Sequence, residues 1–177
     1  MKEAKLVKKA VKGNAKAFEE LLVLHSERLY RTAFLYAGNR EDALDIVQET
    51  SCKAFLAIGQ LKSEEYFLTW LTRILIHCAY DVLKKRKIEM PVEKLVDLPS
   101  SNDHKVAESL DLMEAITQLK EQYRTAIILF YYHDLPISEI ARTMDIPENT
   151  VKTYLQRGRK ELKTRLGGDH DEKENVS

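Results

Sequence analysis

"ISEIARTMDIPENTVKTYL", residues 137–155, decides how the rest of the chain is read. Ile137, Ile140, Ala141 and Met144 recur at steps of three, one and three, the spacing of one helix face. Asp145 follows at a turn where glycine is usual, and Asp accepts a left-handed backbone better than most residues. Ile146 plugs the turn, and Pro147 suits the start of a second helix. Val151, Leu155 and Leu162 then form an inward face, and the small Ala141 lies where the two helices would cross. This is the spacing of a helix-turn-helix.

The second helix leaves Lys152, Thr153, Gln156, Arg157, Arg159, Lys160 and Lys163 on its outward face. Residues 146–166 carry six Lys/Arg against two Glu. Arg, Lys and Gln are the side chains that read major-groove base edges or clamp phosphate. In this motif the N-terminal turns of the second helix meet the bases. Asn149, Thr150, Lys152, Thr153, Gln156 and Arg157 are therefore candidates for base reading. Arg159, Lys160 and Lys163 are better placed for phosphates. A basic helix face is often only solvated, but the turn spacing favours DNA.

The chain as a whole does not advertise this basic face. Its 177 residues hold 28 Lys/Arg and 28 Asp/Glu, so it is formally neutral. Residues 1–90 hold 16 basic and 12 acidic side chains; 91–118 hold 2 and 6; 119–166 hold 9 and 6; 167–177 hold 1 and 4. Two basic blocks are thus divided by an acidic stretch and followed by an acidic tail, a sign of domains as well as of partners. Hydrophobic residues at 44% and charged residues at 32% are ordinary for a globular protein, and Gly (6) and Pro (4) are scarce, which favours helices. The longest apolar run, "AIILFYY", is too short to span a membrane. The basic start "MKEAKLVKKAVKGN" lacks the apolar stretch of a signal peptide. Cys52 and Cys78 sit inside helical patterns, make no disulfide framework and fit a reduced cytoplasmic setting.

These features predict an all-α fold: two small helical domains joined by a flexible acidic linker, the second containing the helix-turn-helix. The expected boundaries are 1–90, a linker over 91–112, a second domain over 113–166 and a disordered tail over 167–177. In the first domain "GN" at 13–14 breaks one helix. Phe18, Leu21, Leu22, His25 and Leu29 continue the next, and "AGNRED" at 37–42 turns into a third. The stripe Leu44, Val47, Ala54, Phe55 and Ile58 ends at Gly59, "QLKSEEY" reads as a loop, and a long helix runs from about Tyr66 to Lys87. On that helix Phe67, Trp70, Leu71, Ile74 and Cys78 make an apolar face, with Phe67 and Trp70 assigned to the core. Arg73, His77, Tyr80, Lys84 and Lys87 make the opposite one. Basic and aromatic groups interleave there, as a nucleic-acid surface needs. In the second domain helices are expected over about 111–119, 121–133, 137–144 and 148–165, with "ILFYY" inside a helical stripe and no strand.

With these segments in order, the chain resembles the extracytoplasmic-function (ECF) sigma factors, the small two-domain class of bacterial sigma factor. "GNAKAFEELLVLHSERLYRTAFLYAGNREDALDIVQETSCKAF" is similar to the start of the family's region two, and "FLTWLTRILIHCAYDVLKKRK" fits its F-x-x-W-L-x-x-I…D pattern. "LKEQYRTAIILFYYHDLPISEIARTMDIPENTVKTYLQRGRKEL" resembles region four. The resemblance implies an alternative sigma factor that binds core RNA polymerase and directs promoter-specific initiation. Leu44, Asp45, Gln48, Glu49 and Phe55 match the helix that docks on core polymerase. The loop 59–66 with Arg73, His77 and Tyr80 would meet the minus-ten element, and Lys84, Lys85, Arg86 and Lys87 the adjacent phosphates. The helix-turn-helix would read the minus-thirty-five element. The partners implied are core polymerase, promoter DNA and an anti-sigma factor, in some cases membrane-bound, with no small-molecule substrate and no cofactor.

The chain departs from the family pattern in places. His77 stands where Asn is usual, Leu75 where Ala is frequent, Ser51 and Cys52 where an apolar pair is usual, and Lys120 where Pro is usual. An alternative reading is a stand-alone helix-turn-helix regulator with a helical sensor domain, since "TVKTYL" also resembles LuxR-type recognition helices. The docking and basic-aromatic helices of the first domain have no role in that alternative. An enzyme is disfavoured. His25, His77, His104, His133 and His170 show no metal-ligand spacing with the cysteines, and there is no phosphate loop or nucleophile elbow.

Overall fold

The computed structural model describes residues 2–89 and 104–167. The expected linker as far as 103 and the tail from 168 lie outside the described residues. The chain divides into two compact units, Met1–Val96 and Asp97–Ser177. Among the described residues the regular structure is helical throughout.

The first unit holds α1 (Lys2–Val11), α2 (Ala15–Ala37), α3 (Arg40–Ala57) and α4 (Phe67–Glu89). Two Gly-Asn pairs punctuate it. Gly13 and Gly38 take positive φ, +92° and +72°, where a side chain would be strained. The Gly38 N–H donates to the Phe34 carbonyl at 2.8 Å and closes α2. Each following Asn caps the next helix: Asn14 Oδ1 accepts from the Ala17 N–H and Asn39 Oδ1 from the Asp42 N–H, both at 2.9 Å. α2 packs on α1, α3 and α4, and α3 packs on α4. Leu21, Ile46, Phe67, Leu71 and Leu75 are fully buried between them. The stretch expected as a loop, "QLKSEEY", is bounded by two short 3₁₀ turns, Ile58–Gln60 and Glu64–Tyr66. A Lys8–Glu64 ion pair at 3.0 Å ties the second of these to α1.

The second unit holds α5 (His104–Thr117), α6 (Glu121–Ile127), α7 (Ile137–Met144) and α8 (Glu148–Arg165). The helix expected from about 111 begins earlier, so residues 104–112 are helix rather than linker. Val106, Leu110 and Met113 step by four and three, and this stripe continues α5 back into the polar stretch. α6 runs straight into a π-helical turn, Ile128–Tyr132, closed by the His133 N–H donating to the Ile128 carbonyl at 3.1 Å. α5, α6 and α7 all pack on α8. Gly158 permits the closest approach: a Cβ there would lie 2.9 Å from Ile127 Cγ1.

Candidate nucleic-acid and partner interfaces

The helix-turn-helix forms as its spacing requires. Ile140 and Ala141 of α7 are buried, while Ile137 and Met144 are half-buried. Asp145 is left-handed at φ 54°, ψ 50°, and the Ile146 N–H donates to the Ala141 carbonyl at 3.0 Å. Pro147 is the cap residue preceding α8, with extended backbone, rather than its first helical residue. Val151, Leu155 and Gly158 face the core, while Leu162 is only half-buried. Asn149, Lys152, Gln156, Arg157, Arg159, Lys160 and Lys163 are exposed; Thr150 and Thr153 are half-buried. The Thr153 hydroxyl donates to the Asn149 carbonyl at 3.0 Å.

Two of the arginines are already held. Arg157 Nη1 donates to the Tyr123 hydroxyl at 3.5 Å, and this contact raises the guanidinium above the usual arginine range. Arg159 Nη1 donates to the Tyr131 hydroxyl at 2.9 Å. The sequence gives no sign of these tyrosine partners, because they come from α6 and the π turn.

On α4 the structure separates the predicted faces, with corrections. Phe67, Leu71 and Cys78 are buried, but Trp70 and Ile74 are only half-buried, so Trp70 is not a core residue. Thr72, Leu75, Ile76 and Ala79 complete the buried side, because α4 is covered by both α2 and α3. Arg73, His77, Lys84, Lys85 and Lys87 are exposed. Tyr80 is half-buried and packs edge-on against Tyr36, with ring centroids 6.0 Å apart.

Arg86 faces inward instead. Its Nε donates to Asp42 Oδ1 at 2.6 Å, and Glu41 lies 3.9 Å away. Asp42 is 2% exposed and also accepts from Asn39 Nδ2 at 2.9 Å. The guanidinium therefore ties the end of α4 to the start of α3.

α3 turns one face outward. Leu44 (47% exposed), Asp45, Gln48, Glu49 and Phe55 (49%) all lie on it, with Cys52 among them and Leu56 at 83%. At 3.6 residues per turn these positions fall within an arc of about 140°. Lys53 bridges Glu49 at 3.3 Å and Asp81 at 3.4 Å, joining α3 to α4, and the Glu49 hydrogen bond is the largest cause of its raised basicity. Phe55 leans on the buried Phe18, centroids 5.4 Å apart. Leu56 was not singled out by the sequence, since its position reads as a continuation of the helix.

A helical unit with an exposed apolar and acidic stripe on α3, followed by a helix-turn-helix unit with an exposed basic face, is the architecture of a bipartite helical DNA-binding protein. Residues 21–88 match Sigma-70 region 2, and residues 109–162 match Sigma-70, region 4. The RNA polymerase sigma factor SigV of Bacillus subtilis (strain 168) is 36% identical over 143 residues, covering 80% of this chain and 86% of that protein. The ECF RNA polymerase sigma factor SigW of the same organism is 29% identical over 186 residues, covering 92% and 95%. The chain belongs to the extracytoplasmic-function sigma factors of the sigma-70 family. The same fold occurs in RpoE of Bartonella quintana, solved with the anti-sigma factor NepR (TM-score 0.74, 24% identity, 88% of this chain and 99% of that one). It occurs also in CnrH, solved with the cytosolic domain of CnrY (TM-score 0.71, 21% identity, 96% and 99%).

Proposed function

We propose that this protein is an alternative sigma factor: it binds core RNA polymerase and directs initiation at promoters it recognises. The reading rests on family membership together with one observation. The outward faces of α3 and α8 are built of the residues that docking and base reading require. Leu44, Asp45, Gln48, Glu49 and Phe55 dock on core polymerase. Arg73 and His77, with the segment 59–66, meet the minus-ten element, and Lys84, Lys85 and Lys87 hold its flanking phosphates. Tyr80 supports this face through its packing on Tyr36, and Arg86 serves it as a strut. Asn149, Thr150, Lys152, Thr153, Gln156 and Arg157 read the minus-thirty-five element, and Arg159 and Lys160 contact its backbone.

In this role the protein performs no bond chemistry; the polymerase does. It acts in the cytoplasm, where the polymerase is. An anti-sigma factor controls it by covering the α3 face; RpoE was solved with the anti-sigma factor NepR, and CnrH with the cytosolic domain of CnrY, and the choice of the α3 face is our own. Among the described residues no helix is long and apolar enough to cross a membrane.

Run-off transcription on fragmented genomic DNA tests the proposal, with purified core polymerase in the presence and absence of the protein. Discrete transcripts that need the protein support it, and their start sites define both promoter elements. Tight operator binding by the protein alone, without new transcripts, would instead make it a stand-alone regulator. Asp45→Ala with Gln48→Ala, both on exposed positions, should lose competition for core polymerase while the fold survives.

A further inference from the structure

The π-helical turn at Ile128–Tyr132 has no part in the assignments above. A π turn inserts one extra residue into the helical ladder, and such turns concentrate at functional sites. Here the turn carries Tyr131, which stays 52% exposed and meets the ring of Phe130 edge-on, centroids 4.9 Å apart. Its hydroxyl lies 2.9 Å from Arg159 Nη1 on α8. The exposed tyrosine is thus fixed at one end by an aromatic neighbour and at the other by a charged hydrogen bond.

The placement on α8 gives the contact its meaning. Arg157 and Arg159 lie about 160° apart around the helix axis at 3.6 residues per turn. Lys152, Thr153 and Gln156 occupy the face between them. Tyr123 holds one flanking arginine and Tyr131 the other. A free arginine side chain loses rotamer entropy when it is fixed, and a tether made beforehand removes that loss from binding. A guanidinium already tethered at one Nη keeps its remaining N–H donors for phosphate oxygens.

We propose that Tyr131 is a positioning residue for minus-thirty-five binding: its hydroxyl holds Arg159 in place as a phosphate clamp on the flank of the recognition helix. The proposal rests on α8 being the duplex-reading helix. A clamp of this kind supplies affinity without base preference, because phosphates carry no sequence. It also contributes to the salt dependence of binding, since each neutralised phosphate releases counterions.

The experiment measures binding of holoenzyme, formed from core polymerase and the full chain, to a promoter duplex recovered by run-off transcription, across a salt series. Tyr131→Phe keeps the ring and removes only the hydroxyl. It should weaken binding about fivefold to tenfold, the net worth of one ordinary hydrogen bond. The loss should be equal on all minus-thirty-five variants. Arg159→Ala should weaken binding and flatten the salt slope by about one, the value of one phosphate. Adding Tyr131→Phe to Arg159→Ala should then cost nothing more. Full losses that multiply in the double variant, or Tyr131→Phe binding like wild type while Arg159→Ala does not, would overturn the clamp. A changed base preference with a lowered melting temperature would overturn it too, and make Tyr131 structural. If Lys152→Ala, Gln156→Ala and Arg159→Ala all bind normally, the minus-thirty-five reading of α8 fails, and the clamp with it.

Discussion

Arg86 stands in the run Lys84–Lys87 with nothing in the sequence to set it apart from its neighbours. In the fold it alone of that run turns back, onto a carboxylate that is 2% exposed. Arg86→Ala would leave Asp42 buried with its charge uncompensated. Breaking a fully buried pair costs about 3–5 kcal/mol, and the partial exposure of Arg86 reduces that to roughly 2–3 kcal/mol. Urea unfolding followed by the fluorescence of Trp70, the single tryptophan, reads the first unit directly. Arg86→Ala should lower the midpoint; Arg86→Ala with Asp42→Asn should lower it less; Lys85→Ala should leave it within about 0.5 kcal/mol, as exposed positions usually do. An unmoved midpoint in Arg86→Ala would return this residue to the phosphates. Arg157 is the opposite case, held by Tyr123 but exposed toward the reading face. Arg157→Ala should cost about 1–3 kcal/mol of discrimination if its contact to a base is bidentate. Transcription from a library of single minus-thirty-five substitutions should show that loss at one position, and an unchanged profile would refute the assignment.

At the scale of elements, what could be read beforehand was whatever is local and periodic. The stripes of α2 and α4, the two Gly-Asn stops and the turn after Met144 all follow from residues a few positions apart, so their signals survive in a bare sequence. Asp145 makes the point testable. Its φ of 54° strains any residue with a Cβ, Asp less than most. Asp145→Gly should raise the thermal stability of the second unit by about 0.5–1 kcal/mol, and Asp145→Ala should lower it by about 1 kcal/mol. Circular dichroism melts would check both, and equal melting of all three proteins would remove strain from the account of the turn. The rest was not legible for a physical reason. A π turn has no period of its own, because "ILFYY" is apolar in any helical register. α5 reaches back to His104 through a polar stretch whose composition suggests a linker. Trp70 fits the apolar stripe of α4, yet the helices on either side of α4 leave it half-covered. The Arg86–Asp42 and Arg159–Tyr131 pairs join residues far apart in the chain, and pairing of that kind is decided by packing.

For the whole molecule the two cysteines offer a direct report on assembly. Cys78 is buried on α4, and burial pushes its thiol up, so little reactive thiolate exists near neutral pH. Cys52 is exposed in the middle of the α3 face, among Gln48, Glu49 and Phe55. Iodoacetamide should therefore modify Cys52 and spare Cys78 in the native protein, and reach both in urea, with mass spectrometry of the two peptides as the readout. Adding core polymerase should slow modification of Cys52 by an order of magnitude or more, because interfaces exclude solvent from their centre. Promoter duplex without polymerase should leave that rate unchanged, since the residues proposed to face DNA lie on α4 and α8. The Asp45→Ala, Gln48→Ala protein should lose the protection at the same polymerase concentration. Protection by DNA alone would place nucleic acid on α3 and exchange the roles given to the two faces of the first unit. Modification of Cys52 at its free rate within an otherwise active holoenzyme would move the docking surface off α3 altogether.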